Sequence, residues 1–319
     1  MAVLVGIDES GYGPILGPLV VSATVFSVPD SLLRQDLWQI LSDSVAKDKK
    51  NLSGRLLIAD SKKAYSRSTG IGHLRRTVLA VASILGKNVS SASELITMLC
   101  PDCMERLRAY PWYQNVQEFP LSSEQGDIPI AAGVLKRNLS AGSMELLAIR
   151  TAVLDVGYYN KMVGAVRNKA GVLFTAVSSL VKESFDNFGA EPMQIIIDRQ
   201  GGRTDYTSLL MRMFPDMSLK VLRQDSTDSS YELYTTARTA RVHFVIDADD
   251  RFLPVALSSM VSKFTRELLV ECINRYFTSQ CTHLKPTAGY WKDGSRFIAD
   301  LKKHIPDVKY DSNLLIRSR

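Results

Sequence analysis

The sequence predicts a mixed β-sheet flanked by α-helices, and three observations carry that expectation. An apolar, β-rich run opens the chain and ends in acid at Asp8 and Glu9. Similar short apolar runs end in aspartate far downstream, at Asp198 and at Asp247, Asp249 and Asp250. Between and after these runs lie segments whose apolar residues recur at helical spacing. Strands at the start, followed by helices alternating with strands, argue for a mixed α/β sheet.

Residues 2–8 read as a buried strand and residues 18–28 as a second. Gly11, Gly13, Pro14 and Gly17 between them are turn formers, so the two strands are expected to pair antiparallel. Leu74, Val78, Val81, Ala82 and Leu85 give helical spacing over 72–86, and residues 143–185 carry long helical patterning with little proline. Gln194–Ile197 is a short apolar strand ending at Asp198, and 231–248 alternates as a hairpin or strand pair. Over 255–277, Met260, Val261, Phe264, Leu268, Cys272 and Ile273 share one face of an amphipathic helix. Residues 87–142 fit this scheme poorly. They contain Pro101, Pro111, Pro120 and Pro129 and read as an insertion or cap, with Trp112 and Tyr113 forming a small satellite core.

Bulk properties exclude little but orient the rest. With 319 residues, 45% of them hydrophobic and 23% charged, the chain has the composition of a soluble globular protein with a large core. A net charge of +6 is compatible with a polyanionic partner. No apolar run reaches the ~18 residues of a membrane span. The opening Met1–Glu9 lacks a basic start and is soon interrupted by carboxylates, so a cytoplasmic protein without a secretory signal is expected. Of the four cysteines, Cys100 and Cys103 form one CxxC, while Cys272 and Cys281 have the wrong spacing to complete a zinc site. Reduced thiols are expected. His73, His243, His283 and His304 show no ligand spacing.

The chemistry concentrates in Gly6–Pro18. There an apolar strand delivers adjacent carboxylates, Asp8 and Glu9, to a glycine-rich turn. Hard divalent cations prefer oxygen ligands, and glycines let backbone N–H groups approach a phosphate closely. An ordinary acidic turn would look similar, but the pattern recurs at Asp198 and after Val242–Ile246. Three acid-tipped strands on one sheet can converge on a metal site, and a pair of metals ~3.5–4 Å apart serves in-line phosphodiester cleavage. Asp249 and Asp250 also suit the N-terminus of the following helix.

From Gly6 to Pro18 the chain is similar to the opening signature of the ribonuclease HII (type 2 ribonuclease H) family, G-x-D-E-A-G-R-G-P-x-x-G-P. Serine stands at position 10 and tyrosine at 12. Asp60-Ser61-Lys62-Lys63 resembles the family's Asp-Ser-Lys segment, and Asp198 its third aspartate. Ser258–Glu267 resembles its A-S-I-x-A-K-x-x-R-D helix, and Gly289-Tyr290 its late Gly-Tyr segment. The family's fourth aspartate precedes that helix's lysine by fourteen residues. Counting back from Lys263 gives Asp249.

The resemblance implies a ribonuclease H-like mixed sheet flanked by helices, forming one domain over 1–319. Residues 87–142 would be an insertion or cap within it, and 278–319 a helical C-terminal extension. It implies Asp8, Glu9, Asp198 and Asp249 as catalytic ligands of Mg²⁺ or Mn²⁺. Gly11, Tyr12, Gly13, Ser61, Lys62, Lys263 and Tyr290 would contact the substrate, with hydrolysis of the RNA strand of an RNA–DNA hybrid as the reaction. Tyr290 reads equally well as a core aromatic. Lys263 and Arg266 lie on the less apolar side of their helix, facing phosphates or simply solvent. Arg199, Arg203, Arg223, Arg238 and Arg241 suggest a basic rim.

Two departures matter. Tyr12 replaces the arginine of the Gly-Arg-Gly motif and cannot supply its charged fork, so discrimination of a lone ribonucleotide should be blunted. Arg199 follows Asp198 where the family usually has glycine. Two alternatives are a nucleic-acid-binding protein without efficient turnover and a nuclease of the same fold acting on another substrate, such as branched DNA.

Overall fold

β1 (Ala2–Ser10) is the strand on which the architecture is built, and β2 (Leu19–Val28) pairs with it antiparallel from Ala2↔Val28 to Ser10↔Val20. The computed structural model describes all residues except 51, 66–69, 117–118, 122–125, 200 and 319. After β2 come α1 (Leu37–Ile40), a small parallel pair β3 (Val45–Ala46) and β4 (Leu56–Leu57), α2 (Ser61–Ala64) and α3 (Gly72–Ile84). Then follow α4 (Ala92–Leu99), α5 (Cys103–Arg108), α6 (Ile128–Ala141), β5 (Glu145–Leu154), α7 (Val156–Val166) and α8 (Lys169–Phe188). Strand β6 (Met193–Asp198), helix α9 (Thr207–Met213) and strands β7 (Ser218–Gln224), β8 (Asp228–Tyr234) and β9 (Thr239–Val245) come next. The chain continues through α10 (Ala248–Arg251), α11 (Leu253–Thr278), α12 (Trp291–His304) and α13 (Ser312–Leu315).

Seven strands form one mixed sheet in the order β5-β2-β1-β6-β9-β8-β7. β1, β6 and β9 run parallel side by side; the other pairings are antiparallel. The mixed sheet flanked by helices expected from the sequence is therefore present. Side chains alternate across a strand, and β1 divides accordingly. Leu4 joins the core under α11, whereas Val3, Val5 and Ile7 join the core under α8. With both faces covered, the central strands send apolar residues to both sides of the sheet, as buried parallel strands do.

Gly6 sets how closely α11 lies on β1. A Cβ built on it would sit 2.3 Å from the Pro254 carbonyl carbon. Small hydroxyl residues complete this contact. Ser258 Oγ donates to Gly6 O (2.8 Å), Ser262 Oγ donates to Asp8 O (3.0 Å), and Thr24 Oγ1, opposite Gly6 in register, donates to Pro254 O (2.7 Å). Polar residues are thus buried with partners rather than facing water.

Three readings need correction, and one strand had no sequence signal. Residues 145–154 are the edge strand β5, not helix; the helices α7 and α8 begin only at Val156. The segment's apolar residues suit either period, and antiparallel pairing with β2 decides it. α11 is not amphipathic but buried on nearly all sides, down to Ser258, Ser259, Ser262, Thr265 and Arg266. Strand β7 was missed because most of it is exposed and no alternation marks it. Trp112 and Tyr113 are buried against Tyr276 and Phe277 of α11 or near them, in the main core rather than a satellite, and 87–142 is largely helical. The strand readings at 2–8, 18–28 and 194–198, the hairpin within 231–248 and the helix at 72–86 agree with β1, β2, β6, the β8–β9 pair and α3. Among the described residues, no helix is long and apolar enough to cross a membrane.

Gly6→Ala is expected to cost roughly 2–3 kcal/mol or more, because the added methyl meets backbone that has nowhere to go. Gly133→Ala, on α6 with nothing within 4 Å of its Cβ, should be neutral or stabilising by up to about 1 kcal/mol. Urea midpoints of the two variants check this; equal midpoints would mean that α11 does not bear on β1 as described.

Candidate active site

Because β1, β6 and β9 are parallel neighbours, their C-terminal ends reach the same edge of the sheet. β1 delivers Asp8 and Glu9 there, and β6 delivers Asp198. Beyond β9 the chain turns through Asp247, in the left-handed region (φ 51°), into α10, which carries Asp249. Asp198 Oδ1 accepts from the Ala248 N–H (2.8 Å) and so pins the start of α10 to the end of β6. Asp8, Glu9, Asp198 and Asp249 line one cleft of about 260 Å³. Gly11, Tyr12, Gly13, Ser61, Lys62, Lys263 and Tyr290 line the same cleft, so every residue expected at the site is placed around it.

The electrostatics are those of crowded acids. Burial, then the charges of Glu9 and Asp198, hold the Asp8 carboxyl well above the usual range. Burial and then Asp198 push Glu9 up to about 8. Burial raises Asp198 to about 6, although the Ala248 N–H works against it, and burial followed by Asp60 raises Asp249 to about 7. Lys62 is the nearby cation. Its partial burial alone would lower its pKa, but Asp60, Asp249, Asp8 and Asp198 together raise it. Tyr12 is raised by burial and then by Glu9, so its hydroxyl is neutral at physiological pH.

The walls are built by residues that the sequence reading underrated. Asp60 caps α2 by accepting from the Lys62 N–H (2.9 Å), and its carboxylate beside Asp249 is part of what raises that acid. It stood inside the quoted Asp-Ser-Lys segment, which was the signal available. Asp247, set aside in favour of Asp249, also lines the cleft. Ser259 of α11 sits beside Asp8, where its hydroxyl favours the ionised carboxylate, and its Oγ lies 3.0 Å from Ser61 Oγ. Glu267 accepts from Lys263 Nζ (2.7 Å) and Arg266 Nη1 (3.1 Å).

Three assignments change. Arg266 is fully buried, donating to Ala288 O (2.9 Å) and Leu16 O (3.4 Å), and meets neither phosphate nor solvent. Tyr290 is 49% exposed at the cleft, 5.7 Å from the Arg266 guanidinium, and is not a core aromatic. None of the five arginines lines the cleft, although Arg203 shares a neighbouring pocket with Asp198. Arg199 is buried against Asp225 O and Ser226 O, and Arg203 lies over Phe174 and Tyr206. Arg223 pairs with Asp225 and Asp228, Arg238 lies over Phe185, and Arg241 pairs with Glu232.

The donor set fits a hard divalent cation: all candidate ligands are carboxylate oxygens, and their mutual repulsion is what a cation relieves. As the side chains stand, no three His, Cys, Asp or Glu among the described residues are grouped to hold a metal ion. The acids are electrostatic neighbours without converging on one point.

No protein-family model and no curated protein matches the chain. Among solved structures, the chain is similar to RNase HII of Archaeoglobus fulgidus, solved as a PCNA complex (14% identity over 99% of this chain and 94% of that one, TM-score 0.46). It is also similar to Aquifex aeolicus RNase H3 (13%, 98% and 71%, TM-score 0.43). A third structure, Bst-RNase HIII in complex with Mn²⁺, matches at 14% identity, and the chain spans 99% of its own length and 66% of that chain (TM-score 0.42).

Carboxyls that titrate higher in the folded protein than in the unfolded chain make the folded state bind more protons. Stability of the cation-free protein therefore falls as pH rises from about 4 toward the value near 8 held by Glu9. Asp198→Asn keeps the oxygen that accepts from Ala248 and removes one repelling charge. In EDTA it should raise Tm by about 2 °C or more at pH 8 and change it little at pH 4. Thermal unfolding at the two pH values checks this; a lower Tm for the variant at pH 8 contradicts it.

Proposed function

We propose that this protein is a divalent-metal-dependent endonuclease that hydrolyses the RNA strand of RNA–DNA hybrids by a two-metal mechanism. The observation that carries the proposal is the gathering of Asp8, Glu9, Asp198 and Asp249 in one cleft beside the glycine loop, with the Lys62 ammonium interacting with the charge of each. The motif resemblance supplies the substrate class.

Asp8, Glu9, Asp198 and Asp249 would hold Mg²⁺ or Mn²⁺. When bound, such cations supply Lewis-acid chemistry, activating water and offsetting charge on the phosphoryl oxygens. The remaining roles belong to this chain's own groups. Gly13 has open space around it, and its exposed backbone gives a strand phosphate room to approach. Lys62 is exposed at the cleft, a point charge for a backbone phosphate. Tyr290 offers an exposed ring for stacking on a base or sugar. Tyr12 offers a neutral hydroxyl, without the charge assistance of an arginine, so recognition of a lone ribonucleotide is blunted. The buried acids also act as a filter: an anionic strand is repelled unless cations come with it.

The test is cleavage by wild type and Asp198→Asn on three duplexes: an RNA–DNA hybrid, a DNA duplex with one ribonucleotide, and branched DNA, each with Mg²⁺ or Mn²⁺. Wild type should cut the hybrid, and the lone ribonucleotide no better than the hybrid. Asp198→Asn should lower turnover by roughly 10²-fold or more while hybrid affinity persists, since phosphate contacts come mainly from basic groups. Preference for branched DNA, binding without cleavage, or a near-wild-type rate for Asp198→Asn would each sink the proposal.

A further inference from the structure

The glycine loop between β1 and β2 is tied at both ends by one buried guanidinium. Arg317, just beyond α13, donates through Nε to Gly17 O (2.7 Å) and through Nη1 to Gly11 O. Its backbone N–H donates to Ile15 O (2.9 Å), and its neighbour Ile316 forms an antiparallel bridge with Leu16. These contacts join residues about as far apart in sequence as the chain allows, 300 positions in the case of Gly17. The segment is itself anchored on α7. Asn160 Nδ2 donates to Asn313 O (2.8 Å) and Ile316 O (2.9 Å), and Asn160 Oδ1 accepts from the Ser318 N–H (2.7 Å).

Filling this space with a cation is costly. Arg317 is 5% exposed, and among the described residues no carboxylate pairs with it. Its Nη2 has no hydrogen-bond partner, and its guanidinium lies 5.0 Å from the Tyr159 ring centre. Arg266 is buried nearby with a charge of the same sign, which adds to the penalty of burial. An apolar side chain would fill the volume without that penalty. What it would lack is a rigid fork able to bind two carbonyls at a fixed spacing. Gly11 and Gly17 both need positive φ, +92° and +77°, so the loop they bound has a conformation that few sequences hold unaided.

We infer that Arg317 is a positioning residue: it staples Gly11 to Gly17 and thereby holds Tyr12 and Gly13 at the cleft where the substrate strand is gripped. The staple stands on the contacts above; its effect on substrate rests on the nuclease reading. Charge alone does not define it, since a lysine ammonium is a point donor without the fork.

Hydrogen exchange read by mass spectrometry separates the two levels. Ile15 and Leu16 N–H both donate to Gly289 O and report on the loop; residues 193–198 of β6 serve as reference. Arg317→Ala should speed exchange in the loop about tenfold or more, as expected for the loss of charge-assisted hydrogen bonds, with the β6 peptide unmoved. Arg317→Lys should fail to restore protection. With the hybrid as substrate, KM should rise by a larger factor than kcat falls. Asn160→Ala, which releases the segment while leaving Arg317 in place, should loosen the loop in the same selective way and carries the test if Arg317→Ala does not fold. Unchanged loop exchange in the variants that fold, equal acceleration in the loop and β6, or full rescue by lysine would overturn the staple. Selective loosening in a protein that cleaves nothing would leave the staple standing and remove the nuclease reading instead.

Discussion

The direct contact of α11 with β1 at Gly6 is the constraint on which the rest depends. With no side chain there, the helix start rests on strand backbone. The hydroxyls of Ser258, Ser262 and Thr24 then satisfy the polar groups that such closeness would otherwise strand. The same helix presents Ser259 to Asp8 and Arg266 to the loop carbonyl at Leu16. Gly11 extends the principle: a Cβ there would lie 2.7 Å from Arg266 Cδ, so helix, loop and acid-bearing strand pack directly on one another as one unit.

That unit holds carboxylates where they are electrostatically costly. Burial is the first cause of the raised pKa of all four acids, and each of them also feels at least one other aspartate or glutamate. Natural proteins keep such arrangements at functional sites and compensate elsewhere. Here the compensation is a sheet covered on both faces, with two apolar cores meeting across β1. The cleft can therefore carry repelling charges without unfolding the strands that deliver them.

Much of this was legible in the sequence because the informative residues are contiguous or strand-terminal. Asp8, Glu9, Asp198 and Asp249 each stand at or just past the end of an apolar run, and parallel pairing brings such ends to one edge. What was not legible depended on partners distant in sequence. Nothing local marks 145–154 as strand until β2 is beside it. Ser258, Ser259, Ser262 and Thr265 look like the polar side of an amphipathic helix, yet all four are buried. Arg199, Arg223, Arg238 and Arg241 find their acids, carbonyls and aromatic faces in the surrounding fold. Arg317 had no motif at all, and its importance appears only when residue 317 is seen against residues 11 and 17.

The central claim is that the four carboxylates form a divalent-cation site and that bound cations relieve their charge repulsion. Titration of the protein with Mn²⁺ at pH 8, followed by the electron paramagnetic resonance of free Mn²⁺, tests it most directly. Saturable binding by wild type, weakened at least about tenfold in Asp8→Asn as expected for loss of one charged ligand, is the predicted result. Equal binding by wild type and Asp8→Asn, or no saturable binding by either, would contradict the account.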